Sequence, residues 1–286
     1  MPKLNIAFFR SNKVKEYDSQ QERDHSTKIL KGAEPLELGN KSADAALLMI
    51  HGFAGCPNNF EELPYHLAKL NIFINAMLLP GHGTTPLDFE KVSADILLEA
   101  VVDKITDLKK QYKTVLVMGH SMGGALATLA YVKAPYEGLI LASPYYGITH
   151  NPKLILPLEK WARIFSPFVR WVYTPPEEQP ISNKEVASEI ISYHWIPSKA
   201  GLVAIEIAER ARRDSILEQI ACPVLIIHSS RDSVACPKAV KEVFDKIKSD
   251  KKEILWLESS DHVIFWDYER DKVELKITEF IRQFIR

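Results

Sequence analysis

Gly119-His120-Ser121-Met122-Gly123, followed by Gly124, places a serine between small residues, directly after the apolar run Thr114–Met118 and ahead of the helix-favouring stretch Ala125-Leu126-Ala127-Thr128-Leu129-Ala130. A G-x-S-x-G at a strand-to-helix turn needs those small neighbours because the backbone reverses sharply, and the turn lifts the serine Oγ clear of the sheet. The helix start behind it brings free N–H groups and the positive end of a dipole close to any negative charge that develops. The chemistry on offer is nucleophilic attack by Ser121. The plain alternative is a glycine-rich turn with a solvated serine; the strand-turn-helix context favours the nucleophile.

A second motif, His51-Gly52-Phe53-Ala54-Gly55, follows the apolar run Ala46–Ile50. Acyl transfer needs two N–H donors aimed at the tetrahedral oxyanion. One comes from the residue after the nucleophile, here Met122, and the other from a loop after an early strand, here Phe53. Loss of one such donor costs about 3 kcal/mol of transition-state stabilisation. A serine nucleophile also needs a base, and the base an orienting carboxylate. Ligands of open α/β sheets bind beyond the carboxyl ends of the strands, which is where these partners should lie. After Val224–Ile227 comes His228-Ser229-Ser230-Arg231-Asp232, and after Ile254–Leu257 comes Glu258-Ser259-Ser260-Asp261-His262. Asp232 and His262 are therefore the acid and base expected. Asp261 is a weaker candidate, since a direct neighbour rarely reaches back to the imidazole, and Glu258 is a second fallback. Of the other histidines, His51 and His120 flank the chemistry, His82 belongs to the turn Pro80-Gly81-His82-Gly83, and His228 ends a strand as a core histidine. His25, His66, His150 and His194 have no motif context.

The elements that must position these groups are visible as periodicity. Ala46–Ile50, Ile72–Leu78, Val115–Met118, Leu139–Leu141, Val224–Ile227 and Ile254–Leu257 are strand-length apolar runs, several apolar at nearly every position, as in strands covered on both faces. Phe60–Leu70, Ala94–Leu108 and Lys238–Ile247 carry helical periodicity between them. Alternating strands and helices predict an α/β fold with a mostly parallel central sheet flanked by helices. The rhythm breaks after Tyr145 and returns at Cys222-Pro223-Val224. The expected organisation is an N-terminal extension over 1–30, holding at most one short strand, a core of 31–145 and 215–286, and an inserted helical cap over 146–214. In that cap Leu158, Trp161, Phe165, Phe168 and Val172 repeat every three or four residues, with Leu154, Ile155 and Ile164 nearby. Trp161 and Phe165 are the candidate substrate-binding residues of an apolar face over Ser121. The same face could instead only pack on the core, or touch a lipid surface, and Pro167 can kink or divide the helix.

Composition narrows the function classes. Hydrophobic residues make up 46% and charged residues 26%, which excludes a disordered chain. Lys+Arg total 36 against 37 Asp+Glu, so no basic excess points to nucleic acid. Three cysteines without a CxxC support neither a disulfide framework nor a zinc ribbon, and no HExxH is present. Gly81-x-Gly83 fails as a dinucleotide fingerprint because Pro86 replaces the third glycine, and no GxxxxGK[ST] occurs. No cofactor or metal is expected. The apolar stretch Leu4–Phe9 is too short for a signal-peptide core, no apolar run is long enough to span a membrane, and a cytoplasmic location is the default expectation.

HGFAG, PGHG, GHSMGG, SRDSV and DHV, in that order, resemble the α/β-hydrolase superfamily, and more closely its bacterial carboxylesterase and monoacylglycerol lipase branch. Gly32-Ala33-Glu34-Pro35 and Asp267-x-x-Arg270-Asp271 look like that branch too, and the resemblance runs from about Lys31 to the C-terminus. It implies Ser121 as nucleophile, Asp232 as orienting acid, His262 as base, Phe53 and Met122 as oxyanion donors, and a small cap over the site. The insertion is longer than in the smallest members, so acyl preference is not carried over. The expected function is a metal-free serine carboxylic-ester hydrolase for short-to-medium chain acyl esters. Thioesterase, amidase or acyltransferase action on the same triad is the alternative, and a non-catalytic ligand-binding relative a further one. A dehalogenase or epoxide hydrolase would need an aspartate at Ser121.

Overall fold

The computed structural model describes residues 5–7, 11–149 and 158–285. Its strands are β1 (Asn5–Ala7), β2 (Leu36–Gly39), β3 (Ala45–Ile50), β4 (Phe73–Met77), β5 (Thr114–His120), β6 (Gly138–Ala142), β7 (Trp171–Tyr173), β8 (Trp195–Pro197), β9 (Val224–Ser229) and β10 (Lys252–Leu257). Its helices are α1 (Ser11–Ser19), α2 (Leu63–Leu67), α3 (Pro86–Phe89), α4 (Ala94–Gln111), α5 (Met122–Lys133), α6 (Leu158–Phe165), α7 (Ser198–Ala211), α8 (Asp214–Leu217), α9 (Pro237–Lys246) and α10 (Arg270–Ile281). Seven strands form the main sheet in the order β10-β9-β6-β5-β3-β4-β2, parallel throughout except for β2, which pairs antiparallel with β4.

Strand alternation divides the core into two layers. On β3, Ala46, Leu48 and Ile50 face the layer that holds Leu97, Val101 and Ile105 of α4, Ala125 and Leu129 of α5, and Val240 of α9. Ala45, Leu47 and Met49 face the opposite layer, with Leu63 and Leu67 of α2 and Val273, Ile277 and Phe280 of α10. Because both faces are covered, every residue of β3, β4 and β6 is buried. All six apolar runs of the sequence are strands. The antiparallel edge β2 was not expected; its four residues, Leu36-Glu37-Leu38-Gly39, are too few to show a period. Nor is Phe60–Leu70 one helix. A 3₁₀ turn over Pro57–Phe60 is cut from α2 at Glu61, whose φ is 53°.

The segment 146–214 departs from an all-helical insertion. β7 and β8 pair antiparallel, and β1 joins β7 on its other side to make a separate three-stranded sheet. Each strand is three residues long, shorter than any periodicity test can read, and one of the three comes from the N-terminal segment. Val14 of α1 packs with Trp171 and Trp195 in a small cluster of its own, so that segment is fastened to the insertion. The apolar face running from Leu158 to Val172 also ends early. α6 stops at Phe165, ahead of Pro167, and Val172 is in a strand. Leu154 and Ile155 lie outside the described residues. The last long helix of the segment, α7, buries Ala200, Val203, Ala204, Ile207 and Ala208 in the same layer as α5, so it is part of the main core.

Trp171 is 1% exposed at the centre of the small cluster. Trp171→Ala should cost roughly 3–5 kcal/mol of stability as a large-to-small core change. Trp171→Phe should cost less, because the buried indole N–H has no acceptor to lose. Urea unfolding of the three proteins checks the order.

Candidate active site

Ser121 sits on the turn between β5 and α5 with φ 53° and ψ −119°, a conformation that non-glycine residues seldom adopt. The surrounding backbone enforces it. Ser121 N–H donates to Ala142 C=O at 3.0 Å, and Ser121 C=O accepts from Gly124 N–H at 2.9 Å and Tyr145 N–H at 3.0 Å. The turn is so tight that a Cβ on Gly119 would lie 2.2 Å from Gly123 C=O, and one on Gly123 would lie 2.2 Å from Ile50 C=O. These two contacts explain why glycines must flank the serine.

His262 lies between Ser121 and Asp232. Its Nδ1 is 2.8 Å from Asp232 Oδ2, and its Nε2 is 2.8 Å from Ser121 Oγ. A carboxylate accepts, so Nδ1 carries the proton and Nε2 is free to accept from the Ser121 hydroxyl. The other Asp232 oxygen, Oδ1, accepts from Val234 N–H at 2.9 Å and Ala235 N–H at 2.7 Å. Burial by itself would raise the Asp232 carboxyl, but the charge of His262, its hydrogen bond, His228 and the Val234 amide outweigh it and hold the group below the ordinary carboxylate range. Asp261 points elsewhere, accepting from Ser233 N–H at 2.8 Å and Ser233 O–H at 2.9 Å, and Glu258 is exposed.

The neighbouring histidines hold backbone. His51 Nε2 accepts from Leu79 N–H at 3.0 Å, which leaves the proton on Nδ1 to donate to Gly52 C=O at 2.9 Å and fixes the start of the Gly52–Gly55 loop. His120 Nε2 lies 3.3 Å from His262 C=O, and His228 Nε2 lies 3.2 Å from Ala235 C=O. Burial pushes His82 and His228 down to about 4 and His120 to about 3, and drives His51 well below its usual value.

A cleft of about 240 Å³ opens beside Ser121 and His262. Phe53, Asn59 and His120 line it on the core side, and Thr174, Gln179, Pro180, Ile190 and Ser192 on the side of the insertion. Phe53 therefore lies beside the serine, and Met122 is the first residue of α5, where helix geometry leaves an amide without an intrahelical acceptor. The cleft does not gather the two substrate-binding candidates. Trp161 and Phe165 stack on each other at 5.3 Å, with Phe165 47% exposed, and neither lines the cleft. Their helix is tied instead to α7 through Arg163 and Glu209 at 2.6 Å. Apart from Ile196 on β8, the residues that do form the insertion wall sit between β7 and β8, where no sequence period marks them.

The family model Hydrolase_4, described as serine aminopeptidase, S33, matches residues 41–269. The chain belongs to this serine hydrolase family. Within the Hydrolase_4 family it is similar to a thermostable monoacylglycerol lipase of Bacillus sp. (strain H-257), 28% identical over 261 residues that cover 88% of this chain and 95% of that one. A carboxylesterase of Bacillus subtilis (strain 168) is 21% identical over 255 residues, covering 89% and 99%. Among solved structures, one from work on LipS and LipT, two metagenome-derived lipolytic enzymes, superposes with a TM-score of 0.78 at 27% identity, covering 89% of this chain and 99% of that one. A monoacylglycerol lipase of Paleococcus ferrophilus, at 20% identity and TM-score 0.72 over 87% and 97%, shares the fold. The architecture is that of the α/β-hydrolases, and family and relatives together make the chain a serine hydrolase of the lipase and esterase type.

Four buried neutral imidazoles link stability to pH. Their unfolded forms take up protons below about pH 6.5 while the folded forms resist, so this stability is complete above that value and is lost as pH falls toward about 4. Each group contributes a slope of about 1.4 kcal/mol per pH unit. Urea unfolding at pH 7, 6 and 5 should show a free energy that falls with the uptake of two or more protons; a flat profile would mean that these rings are not held neutral.

Proposed function

We propose that the protein hydrolyses carboxylic esters of short-to-medium chain acids through an acyl-enzyme on Ser121. The observation that carries this reading is the continuous chain from Asp232 through His262 to Ser121, two bonds of 2.8 Å, at the mouth of a mainly apolar cleft. Ser121 Oγ attacks the ester carbonyl as His262 Nε2 takes its proton. The amides of Phe53 and Met122 hold the oxyanion, and Asp232 keeps the imidazole in its tautomer and stabilises the imidazolium. Collapse of the tetrahedral intermediate breaks the ester C–O bond, and His262 gives its proton to the departing alcohol. Water then gives a proton to His262 and attacks the acyl carbon, and the proton returns to Ser121 Oγ as the acid leaves.

The family description raises a second reading, cleavage of an amide at a peptide N-terminus. Among the described residues, no Asp, Glu, Lys or Arg lines the cleft. A free ammonium entering it would be desolvated without a partner, which favours a neutral acyl group. At about 240 Å³ the cleft is smaller than the roughly 300–1,000 Å³ common for drug-sized ligands, which supports shorter acyl chains, with the stretch from Thr174 to Ile196 acting as cap.

Hydrolysis of p-nitrophenyl esters from acetate to palmitate, set beside an aminoacyl p-nitroanilide, tests this. The wild type should show an optimum at short or medium chains that Ser121→Ala abolishes, with little anilide turnover. Faster anilide than ester cleavage would reverse the assignment, and a folded wild type inert on every ester would remove it. Asp232→Asn should leave the fold in place and lower kcat by about 10⁴-fold, as a wrongly protonated imidazole does. A near-normal rate would move the acid elsewhere.

A further inference from the structure

Asp267 is 1% exposed, and its carboxylate is satisfied by backbone amides from two distant segments. Oδ2 accepts from Ser182 N–H at 2.8 Å and from Asp261 N–H at 2.7 Å. Oδ1 accepts from Asn183 N–H at 3.0 Å and from Tyr268 N–H at 2.9 Å. A single oxygen thus joins the insertion to the residue immediately before His262. Beside it, Pro180 C=O accepts from both His262 N–H and Val263 N–H at 3.1 Å. Gln179 and Pro180 line the cleft.

We propose that Asp267 is a positioning residue that locks the insertion wall of the cleft to the loop carrying His262, so that the base and the acyl-binding wall share one geometry. This rests on the reading of Ser121 and His262 given above. Four amide donors on one buried carboxylate form a stiff joint, because any shift of either segment leaves a charged or strongly polar group unpaired. A nearby carboxylate provides the contrast. Glu269 Oε2 accepts from the amides of Glu258, Ser259 and Ser260 at 3.0, 2.8 and 3.1 Å, and Glu269 Oε1 lies 3.4 Å from Lys272 Nζ. Glu269 braces the same loop without reaching the insertion. If the joint at Asp267 acts as proposed, loosening it disturbs both rate and acyl selectivity, whereas loosening Glu269 disturbs rate alone.

The experiment compares Asp267→Asn, Glu269→Gln and Asn183→Pro with wild type. The last variant deletes the insertion's N–H to Oδ1, together with the exposed 3.3 Å bond that Asn183 Oδ1 accepts from Glu185 N–H, at a residue whose φ of −78° accepts proline. Rates are normalised to active serine by phosphonate titration, so loss of folded protein does not count. Asp267→Asn should lower kcat about tenfold and change the octanoate-to-acetate ratio of kcat/KM about fivefold, as small misplacements near a reacting centre do. Glu269→Gln should lower kcat while leaving that ratio within about twofold, and Asn183→Pro should shift the ratio with little loss on acetate. A ratio in Asp267→Asn no further from wild type than in Glu269→Gln overturns the proposal. Should Asp267→Asn not fold, an unchanged ratio in Asn183→Pro overturns it. A wild type without Ser121-dependent turnover would instead sink the functional reading. Amide hydrogen exchange then decides the joint: protection lost together at residue 182 and residues 261–263 in Asp267→Asn or Asn183→Pro supports it, and loss confined to one segment overturns it.

Discussion

The site depends on one backbone conformation, the positive φ of Ser121. That torsion is unfavourable for a residue with a side chain, and it persists because three backbone hydrogen bonds and two glycine contacts leave the chain no other path. It aims Oγ away from the sheet toward His262 and makes Met122 the first residue of α5. It also places Ser121 N–H on Ala142 and Ser121 C=O under Tyr145, so the neighbouring strand β6 is fixed by the same turn. The aim of the Ser121 hydroxyl, the start of α5 and the middle of the sheet are consequences of a single strained residue.

Legibility in the sequence followed the size of the signal. Strands buried on both faces announce themselves as unbroken apolar runs, and six such runs placed the sheet. Once strand ends were known, the requirement for acid and base beyond them left few candidates, and Asp232 and His262 are the two that the fold brings to Ser121. Trp161 and Phe165 lie outside the cleft beside Ser121. Their spacing correctly marks one helical face, but periodicity says only that a face is apolar and not which neighbour it meets. β7 and β8 escaped because three residues carry no period and their partner β1 lies far off in the chain. Asp267 was visible as a motif, yet its work is done on backbone amides, and those carry no trace in residue identity.

Polar groups in this protein are spent on shape more than on charge. His51 ties a strand end to the loop that holds Phe53, Asp267 binds only amides among the described residues, and Asp232 devotes one oxygen to His262 and the other to its own loop. The cleft stays mainly apolar among the described residues, and two of the polar side chains that line it satisfy each other, Gln179 Nε2 donating to Ser192 Oγ at 2.6 Å.

The strand order has a consequence in time. Ser121 follows β5 at the middle of the sheet, whereas Asp232 and His262 follow β9 and β10, the outermost pair on one side and the last of the described strands. During synthesis the N-terminal parts of a protein fold first. The serine turn can form while residues beyond 224 are still unmade, but a nascent chain holding it lacks Asp232 and His262. If Ser121 acts through them as proposed, ester hydrolysis has to wait until His262 has been translated, and a message cut short before that codon yields no esterase.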